Sequence, residues 1–124
     1  TMEMSPKAFY EDEGLLAEAE RSVNSWTALV DGTPVAAGGT VQLWPGRHVA
    51  WALFSKAARY VALSVSRTAR EVVARPQGRV ECTVDARFAA GQGWAKVLGF
   101  EIETPVLRQY GPDGADHVGF VRVN

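Results

Sequence analysis

Residues 79–101 read RVECTVDARFAAGQGWAKVLGFE, and this segment carries the clearest structural signal in the chain. Its first part alternates, with Val80, Cys82 and Val84 on one face, which is the period of a half-buried strand. Apolar and small residues then recur at helical spacing, at Phe88, Gly91, Ala95 and Leu98. The segment therefore predicts a strand that runs directly into a helix.

Two residues mark the expected ends of this helix. Asp85 is expected to cap its start, because a carboxylate can accept a hydrogen bond from an amide of the first turn. Gly99 is expected to end it in the left-handed conformation, with Phe100 folding back on the last turn. We therefore predict a short helix that ends at the sequence Leu-Gly-Phe.

Strands and helices alternate in a mixed order along the rest of the chain. Helices are expected at residues 6–24, as one helix or a broken pair, and at 58–75; further strands are expected at 26–30, 34–44, 48–54, 102–110 and 117–123. The strand 48–54 is almost continuously apolar, so it should lie centrally in the sheet. This order predicts an α+β domain of three layers (α/β/α), with helices on both faces of a mixed sheet.

Two adjacent glycines, Gly38 and Gly39, lie inside one of these strands. Such a pair indicates a β-bulge or, alternatively, a place where another group approaches the backbone closely. A bulge is the expected outcome.

Length and charge exclude several classes of protein. With 124 residues, the chain is expected to form a single domain, residues 1–124. It has 13 basic and 14 acidic residues, so no electrostatic argument supports nucleic acid as a partner. No apolar run approaches the roughly 20 residues of a membrane span, and no signal peptide is recognised. The single cysteine favours a reducing, cytoplasmic setting, and Met2 would be the natural start if Thr1 does not belong to the natural chain.

Four short motifs carry a resemblance to a known family. They are WTALVDGTPVA at 26–36, VDARF at 84–88, WAKVLGF at 94–100 and YGPDGADHV at 110–118. In order and spacing they resemble the GNAT superfamily of N-acetyltransferases. The closer resemblance is to the GNAT-like proteins of tailed bacteriophages, including internal virion proteins.

The resemblance covers about residues 25–124 and implies a GNAT-like mixed sheet. The first strand and first helix that ordinarily open this fold are expected to be missing. Their absence would leave the strand 26–30 as an uncovered edge, which proteins normally cover or pair. A homodimer formed through this edge is therefore expected.

The resemblance also implies an acetyl-CoA site. In GNAT enzymes the strand matching 49–54 splays from the one matching 80–84, the pantetheine arm lies in the gap, and amides of the following helix hold the pyrophosphate. The matching cofactor-binding residues are Leu53, Phe54, Ser55, Lys56, Ala57, Ala58 and Arg59. Lys56 and Arg59 could add positive charge. From the residues alone, both are equally well explained as surface residues of an ordinary turn, and this turn lacks the glycines of the family's phosphate loop.

Acyl transfer to an amine requires a catalytic base, and three residues are candidates: Glu81, Asp85 and His48. Each has a simpler interpretation, Glu81 as a solvent-facing residue or an arginine partner, Asp85 as the helix cap and His48 as an exposed strand end. The tyrosine that many GNAT enzymes use as the general acid is matched here by Ala95.

Two further residue types give no catalytic signal. Cys82 alternates with valines and is interpreted as a small core residue. The two histidines are isolated in sequence, so no metal site is expected.

Two functions follow from the resemblance. The first is an acetyl-CoA-dependent N-acetyltransferase that modifies an amine of a host protein in a bacteriophage context. The alternative is a catalytically degenerate GNAT scaffold that binds protein, as a virion component or as an inhibitor of a host factor. The expected location is the cytoplasm (the host cytosol for a phage protein) or the virion.

Overall fold

The structure, a computed structural model, describes residues 2–4 and 24–124. Seven strands occupy these residues: β1 Met2–Met4, β2 Asn24–Val30, β3 Thr33–Trp44, β4 Arg47–Phe54, β5 Arg79–Asp85, β6 Glu101–Leu107 and β7 His117–Val123. The helices are α1, Ala62–Ala74, preceded by a 3-10 helix at Lys56–Val61, and α2, Ala89–Val97. None of the helices within this described part is long and apolar enough to cross a membrane.

The seven strands form one sheet in the order β1-β2-β3-β4-β5-β7-β6. Every neighbouring pair is antiparallel except β4 and β5, which are parallel. The apolar strand β4 is the middle strand of the seven, as its sequence predicts. The predicted α+β class with a mixed sheet is confirmed.

The prediction that the chain lacks the first strand of this fold is wrong. β1 pairs antiparallel with β2, with Met2 opposite Val30 and Met4 opposite Ala28. A strand of three residues is too short to show a period of two, so no sequence pattern could identify it. β1 covers the end of β2 at residues 28–30, and the homodimer through this edge stays a prediction.

The predicted helix or helix pair at residues 6–24 falls almost entirely on residues 5–23, which lie outside the described residues. The prediction of a missing first helix concerns the same part of the chain. Both stay predictions.

The two helices α1 and α2 lie side by side on one face of the sheet. Trp94 Nε1 donates to Ser66 Oγ at 2.9 Å, and Arg70 Nη1 donates to the Val97 carbonyl at 2.9 Å. Apolar side chains of the sheet and both helices form one core beneath them, including Trp26, Val65, Val72, Val80, Leu98 and Phe120.

The two glycines of β3 pair regularly, so the bulge expected at Gly38 and Gly39 is not there. The irregularity in this strand pair lies further along, after Ala28. A Cβ on Gly38 would lie 2.7 Å from the Trp26 ring and 2.8 Å from the Trp51 carbonyl oxygen. The alternative interpretation is therefore correct, because the absent side chain makes room for an indole.

The start of α2 differs from the prediction. The residue before the helix is Phe88, and it makes no side-chain capping hydrogen bond. Asp85 Oδ1 instead accepts the backbone N–H of Arg87 at 2.8 Å. The prediction that Asp85 caps α2 is wrong because β5 continues through Asp85 and α2 begins only at Ala89, beyond its reach.

The end of α2 is as predicted. Gly99 has φ +93°, in the left-handed region. The Phe100 N–H donates to the Ala95 carbonyl, and the Gly99 N–H donates to the Lys96 carbonyl, both at 3.0 Å. These two bonds define a Schellman motif, which directs the chain from α2 straight into β6.

Candidate functional site

The two parallel strands β4 and β5 pair over only three residues each. The last matched residues are Val49 and Glu81, although β4 continues to Phe54 and β5 to Asp85. The strands therefore diverge, as the resemblance to the GNAT superfamily implies. The facing edges of both strands carry backbone N–H and C=O groups with no ladder partner across the gap, and such groups require hydrogen bonds from another source.

A cavity of about 240 Å³ occupies this gap. Small and apolar side chains from both strands and both helices line it on the helix side, including Ala50, Ala52, Phe54, Cys82, Val84, Ala69, Val73, Gly91, Trp94 and Ala95. Trp51, Thr83 and Asp85 also line it, and by strand alternation these side chains lie on the opposite face of the sheet. Residues whose side chains belong to both faces of the sheet therefore border the cavity.

Two aromatic rings meet beside this cavity on the helix side. The rings of Phe54 and Trp94 are 4.9 Å apart in an edge-to-face contact, at an interplanar angle of 85°. The contact joins the end of β4 to α2 and walls the cavity without filling it.

The turn predicted to bind phosphate follows the open end of the gap. The Ser55 N–H donates to the Val35 carbonyl at 2.8 Å, and the Ala58 N–H donates to the Ser55 carbonyl at 3.1 Å. The amides of Lys56 and Ala57 lie in the first turn of the 3-10 helix, which offers them no earlier helical carbonyl. These two amides are the ones suited to receive an anion.

The remaining predicted cofactor residues differ in position. Phe54 lines the cavity, whereas Leu53 lies on the other face of β4 by strand alternation. The Arg59 guanidinium donates to the Tyr60 hydroxyl at 2.8 Å and stacks 4.8 Å over the same ring. Arg59 is thus engaged with Tyr60, and Lys56 is the predicted cation that belongs to the first turn itself.

Glu81 is held in an ion-pair cluster at the closed end of the gap. Arg47 Nη2 and Arg79 Nε each donate to its carboxylate at 2.5 Å. The hydrogen bond from Arg47, followed by that from Arg79, lowers the pKa of Glu81. The interpretation of Glu81 as an arginine partner is confirmed, and this carboxylate is a poor proton acceptor.

His48 is not the exposed strand end that the sequence suggests. It is 8% exposed, and its Nδ1 lies 3.2 Å from the Arg79 carbonyl oxygen. The reason is that β4 begins one residue earlier, at Arg47, so His48 already lies between neighbouring strands. It is not among the residues that line the cavity.

Among the three candidate bases, Asp85 is the one that lines the cavity. Arg87 holds it with Nη2 at 2.7 Å from Oδ2 and Nε at 3.0 Å from Oδ1. These hydrogen bonds lower the pKa of Asp85 to about 2. Asp85 is therefore ionised and paired with Arg87, and it is weak as a base.

Thr83 and His117 lie beside Asp85 and were not recognised as site residues from the sequence. His117 lies directly opposite Asp85 on β7, and its Nδ1 is 3.3 Å from Thr83 Oγ1. The Tyr110 ring packs on the imidazole with centroids 5.3 Å apart. A Cβ on Gly111 would lie 2.9 Å from His117 Nε2, so the glycine leaves the ring its space.

Cys82 packs against the core, as predicted, and burial raises the pKa of its thiol to about 12. A thiol in this state is not a nucleophile near neutral pH. Within residues 2–4 and 24–124, no group of three or more His, Cys, Asp or Glu side chains could hold a metal ion.

The architecture described above is the fold of the GNAT acetyltransferases. Ard1 from Thermoplasma volcanium matches with a TM-score of 0.75 and 15% identity, over 99% of this chain and 96% of that one. The ribosomal-protein-S18-alanine N-acetyltransferase of Escherichia coli matches with a TM-score of 0.69 and 20% identity, over 98% of this chain and 92% of that one.

The aminoglycoside acetyltransferase AAC(6')-Ib, in complex with coenzyme A and kanamycin, matches with a TM-score of 0.60 and 16% identity, over 86% of this chain and 69% of that one. No protein-family model and no curated protein sequence matches the chain. At these identities the likeness defines the fold, and the chemistry has to be argued from the site.

Proposed function

We propose that this protein is an N-acetyltransferase that transfers the acetyl group of acetyl-CoA to an amine. The observation that carries the proposal is the divergence of β4 from β5 after Val49, with a cavity in the gap that residues of both sheet faces border. Such a gap gives two substrates access from opposite faces and lets them meet inside.

The gap suits the pantetheine arm of coenzyme A. The arm contains amide groups, and the unpaired edges of β4 and β5 offer backbone donors and acceptors along its length. The amides of Lys56 and Ala57 would receive the pyrophosphate, with the Lys56 ammonium adding charge. When bound there, the coenzyme supplies an activated acetyl group at the cavity. A structural neighbour in complex with coenzyme A supports this assignment.

The amine acceptor enters from the face that carries Thr83, Asp85 and His117. Asp85 can accept a hydrogen bond from the ammonium form of the amine beside its pair with Arg87. The Thr83 hydroxyl then passes a proton from the amine to His117 Nδ1, which lies 3.3 Å away. Histidine is the side chain best suited to accept a proton near neutral pH. The neutral amine would then attack the thioester carbon; as the C–N bond forms, the C–S bond would break, and the departing coenzyme thiolate would take up the second proton of the amine.

Calorimetric titration with acetyl-CoA tests the donor half of the proposal. We expect saturable binding in the micromolar range. Lys56→Glu should weaken it at least tenfold, because it places a carboxylate beside the pyrophosphate. Lys96→Glu, an identical change on the exposed side of α2, is the matched control and should bind as the unaltered protein does.

A degenerate scaffold that acts by protein binding is the second candidate. Two observations favour it: Ala95 stands where the usual acid is a tyrosine, and the phosphate turn has no glycine. Absence of acetyl-CoA binding up to millimolar concentration would establish this alternative over the enzyme. A host-protein acceptor and a bacteriophage context belong to the proposal in either form.

A further inference from the structure

The part of the cavity beneath the two helices is walled by apolar side chains. We call this part the acyl chamber, and define it by Trp26, Ala69, Val73, Ala95, Leu98 and Phe100. Each of these residues is at most 4% exposed, so the chamber reaches into the protein core. Its occupant has to be hydrocarbon, since a polar group placed there would lose its hydrogen bonds to water.

The polar groups nearest to the acyl chamber are already satisfied or neutral. Trp94 Nε1 donates to Ser66 Oγ at 2.9 Å. The Cys82 thiol stays protonated near neutral pH because burial raises its pKa to about 12. The chamber therefore contrasts with the neighbouring strand edges, which offer backbone donors and acceptors.

The two parts of a coenzyme thioester, the pantetheine arm and the acyl chain, therefore suit different parts of the cavity. The amides of the pantetheine arm belong along the strand edges, where they find hydrogen bonds. The acyl chain has no polar atoms beyond its carbonyl and belongs in the chamber. Alanines at positions 69 and 95, on facing helices, keep the space between α1 and α2 open. The chamber is one part of the cavity of about 240 Å³, which it shares with the gap between the strands.

We propose that the acyl chamber selects acyl-CoA thioesters with straight chains of about four to six carbons over acetyl-CoA. This inference rests on the proposed function, because it takes the gap between β4 and β5 to be the coenzyme site. It narrows the donor from the acetyl group to a longer acyl group.

Calorimetric titration of the full chain with CoA, acetyl-CoA, butyryl-CoA and hexanoyl-CoA tests the inference without knowledge of the acceptor. Each methylene buried in the chamber should lower Kd by about fourfold. Butyryl-CoA should then bind on the order of tenfold tighter than acetyl-CoA.

Two variants fill the chamber from opposite sides. Ala95→Leu and Ala69→Leu should each abolish the gain in affinity with chain length. Ala90→Leu and Ala74→Leu make the same change at exposed positions of the same helices and are the matched controls. Since added volume in a core can disturb folding, the chain-length series on the unaltered protein decides the question independently.

The outcomes separate the two proposals. If CoA itself does not bind, the proposed function and the acyl chamber fall together. If CoA binds but Kd is the same for acetyl-CoA and hexanoyl-CoA, or rises with chain length, the acyl chamber is overturned and the acetyltransferase stands. A gain with chain length that Ala95→Leu and Ala69→Leu both retain would also overturn it.

Discussion

Val49 of β4 and Glu81 of β5 form the last parallel pair before the two strands separate. Glu81 is fixed at this point by Arg47 from β4 and by Arg79 from β5. Beyond it each strand keeps its other neighbour, since β4 pairs with β3 up to Phe54 and β5 pairs with β7 up to Asp85. The gap is therefore built into a continuous sheet, with an ion-pair cluster at its closed end.

A substitution at Thr83 tests the proton path. Thr83→Val removes the hydroxyl that lies between the cavity and His117 and keeps a similar shape. We expect kcat to fall on the order of a hundredfold, the lower end of the range for general acid–base catalysis, with the Kd for acetyl-CoA unchanged. The measurement is CoA release with a panel of primary amines, and Thr68→Val on α1 is the control. A hundredfold loss in the control variant, or none in Thr83→Val, would contradict the path.

Asp85 should titrate at unusually low pH. Arg87 lowers its pKa to about 2 through its hydrogen bonds. A carboxylate with a lowered pKa contributes stability above its ordinary pKa, and this contribution is lost as the pH falls through the folded value. We therefore expect the Asp85 contribution to persist at pH 4 and to disappear towards pH 2.

NMR titration of the Asp85 carboxyl carbon measures this pKa directly. In Arg87→Ala the pKa of Asp85 should move up, towards the ordinary value near 4. Arg67→Ala removes an exposed arginine of α1 and should leave it unchanged. An Asp85 pKa near 4 in the unaltered protein would refute the expectation.

The Cys82 thiol should resist alkylation. Because burial raises its pKa to about 12 from the ordinary 9.0, the thiolate fraction at pH 8 is roughly a thousandth of that of a free thiol. Iodoacetamide labelling followed by mass spectrometry should therefore proceed about a thousandfold more slowly than for glutathione. Addition of 6 M guanidinium chloride should restore the ordinary rate, and fast labelling of the folded protein would show that the cavity exposes the sulfur.

Substitution by alanine should change the free energy of unfolding in opposite directions at Gly93, within α2, and at Gly99, just after its end. Gly99 has φ +93°, and a Cβ there would lie 2.6 Å from Arg122 Nη1, so Gly99→Ala should lower the free energy of unfolding by about 1 kcal/mol or more. Gly93 lies within the helix with nothing within 4 Å of the added carbon, so Gly93→Ala should raise it by about 0.5–1 kcal/mol. Urea unfolding measures both, and a shift of the same sign would disprove the assignment of this helix end.

The parts of the fold that the sequence predicts are those determined locally. The alternation of Val80, Cys82 and Val84 identifies β5, and Gly99 identifies the end of α2, because each depends on neighbours within a few residues. The Asp85 cap failed since a strand and the following helix can be separated by a short turn that no period reveals. β1 could not be identified because three residues are too few for a pattern.

The candidate site is harder to predict because it depends on pairing between distant strands. Thr83 and His117 are 34 residues apart and meet only through the register of β5 with β7. The sequence shows that Thr83 and Asp85 alternate with apolar residues, but nothing local indicates which strand lies beside them. Burial of His48 likewise follows from its neighbours in the sheet, and the predicted splay was accessible only through the resemblance of the motifs.

The most direct test of the central claim is an NMR titration of the uniformly ¹⁵N-labelled protein with coenzyme A. If the coenzyme occupies the gap, the largest amide shifts should fall on residues 50–58 and 82–85, at the unpaired edges of β4 and β5 and the turn that follows β4. The amides of β6, at the edge of the sheet beyond β7, should stay unchanged. Shifts confined to other residues, or no shifts at millimolar coenzyme, would contradict the account.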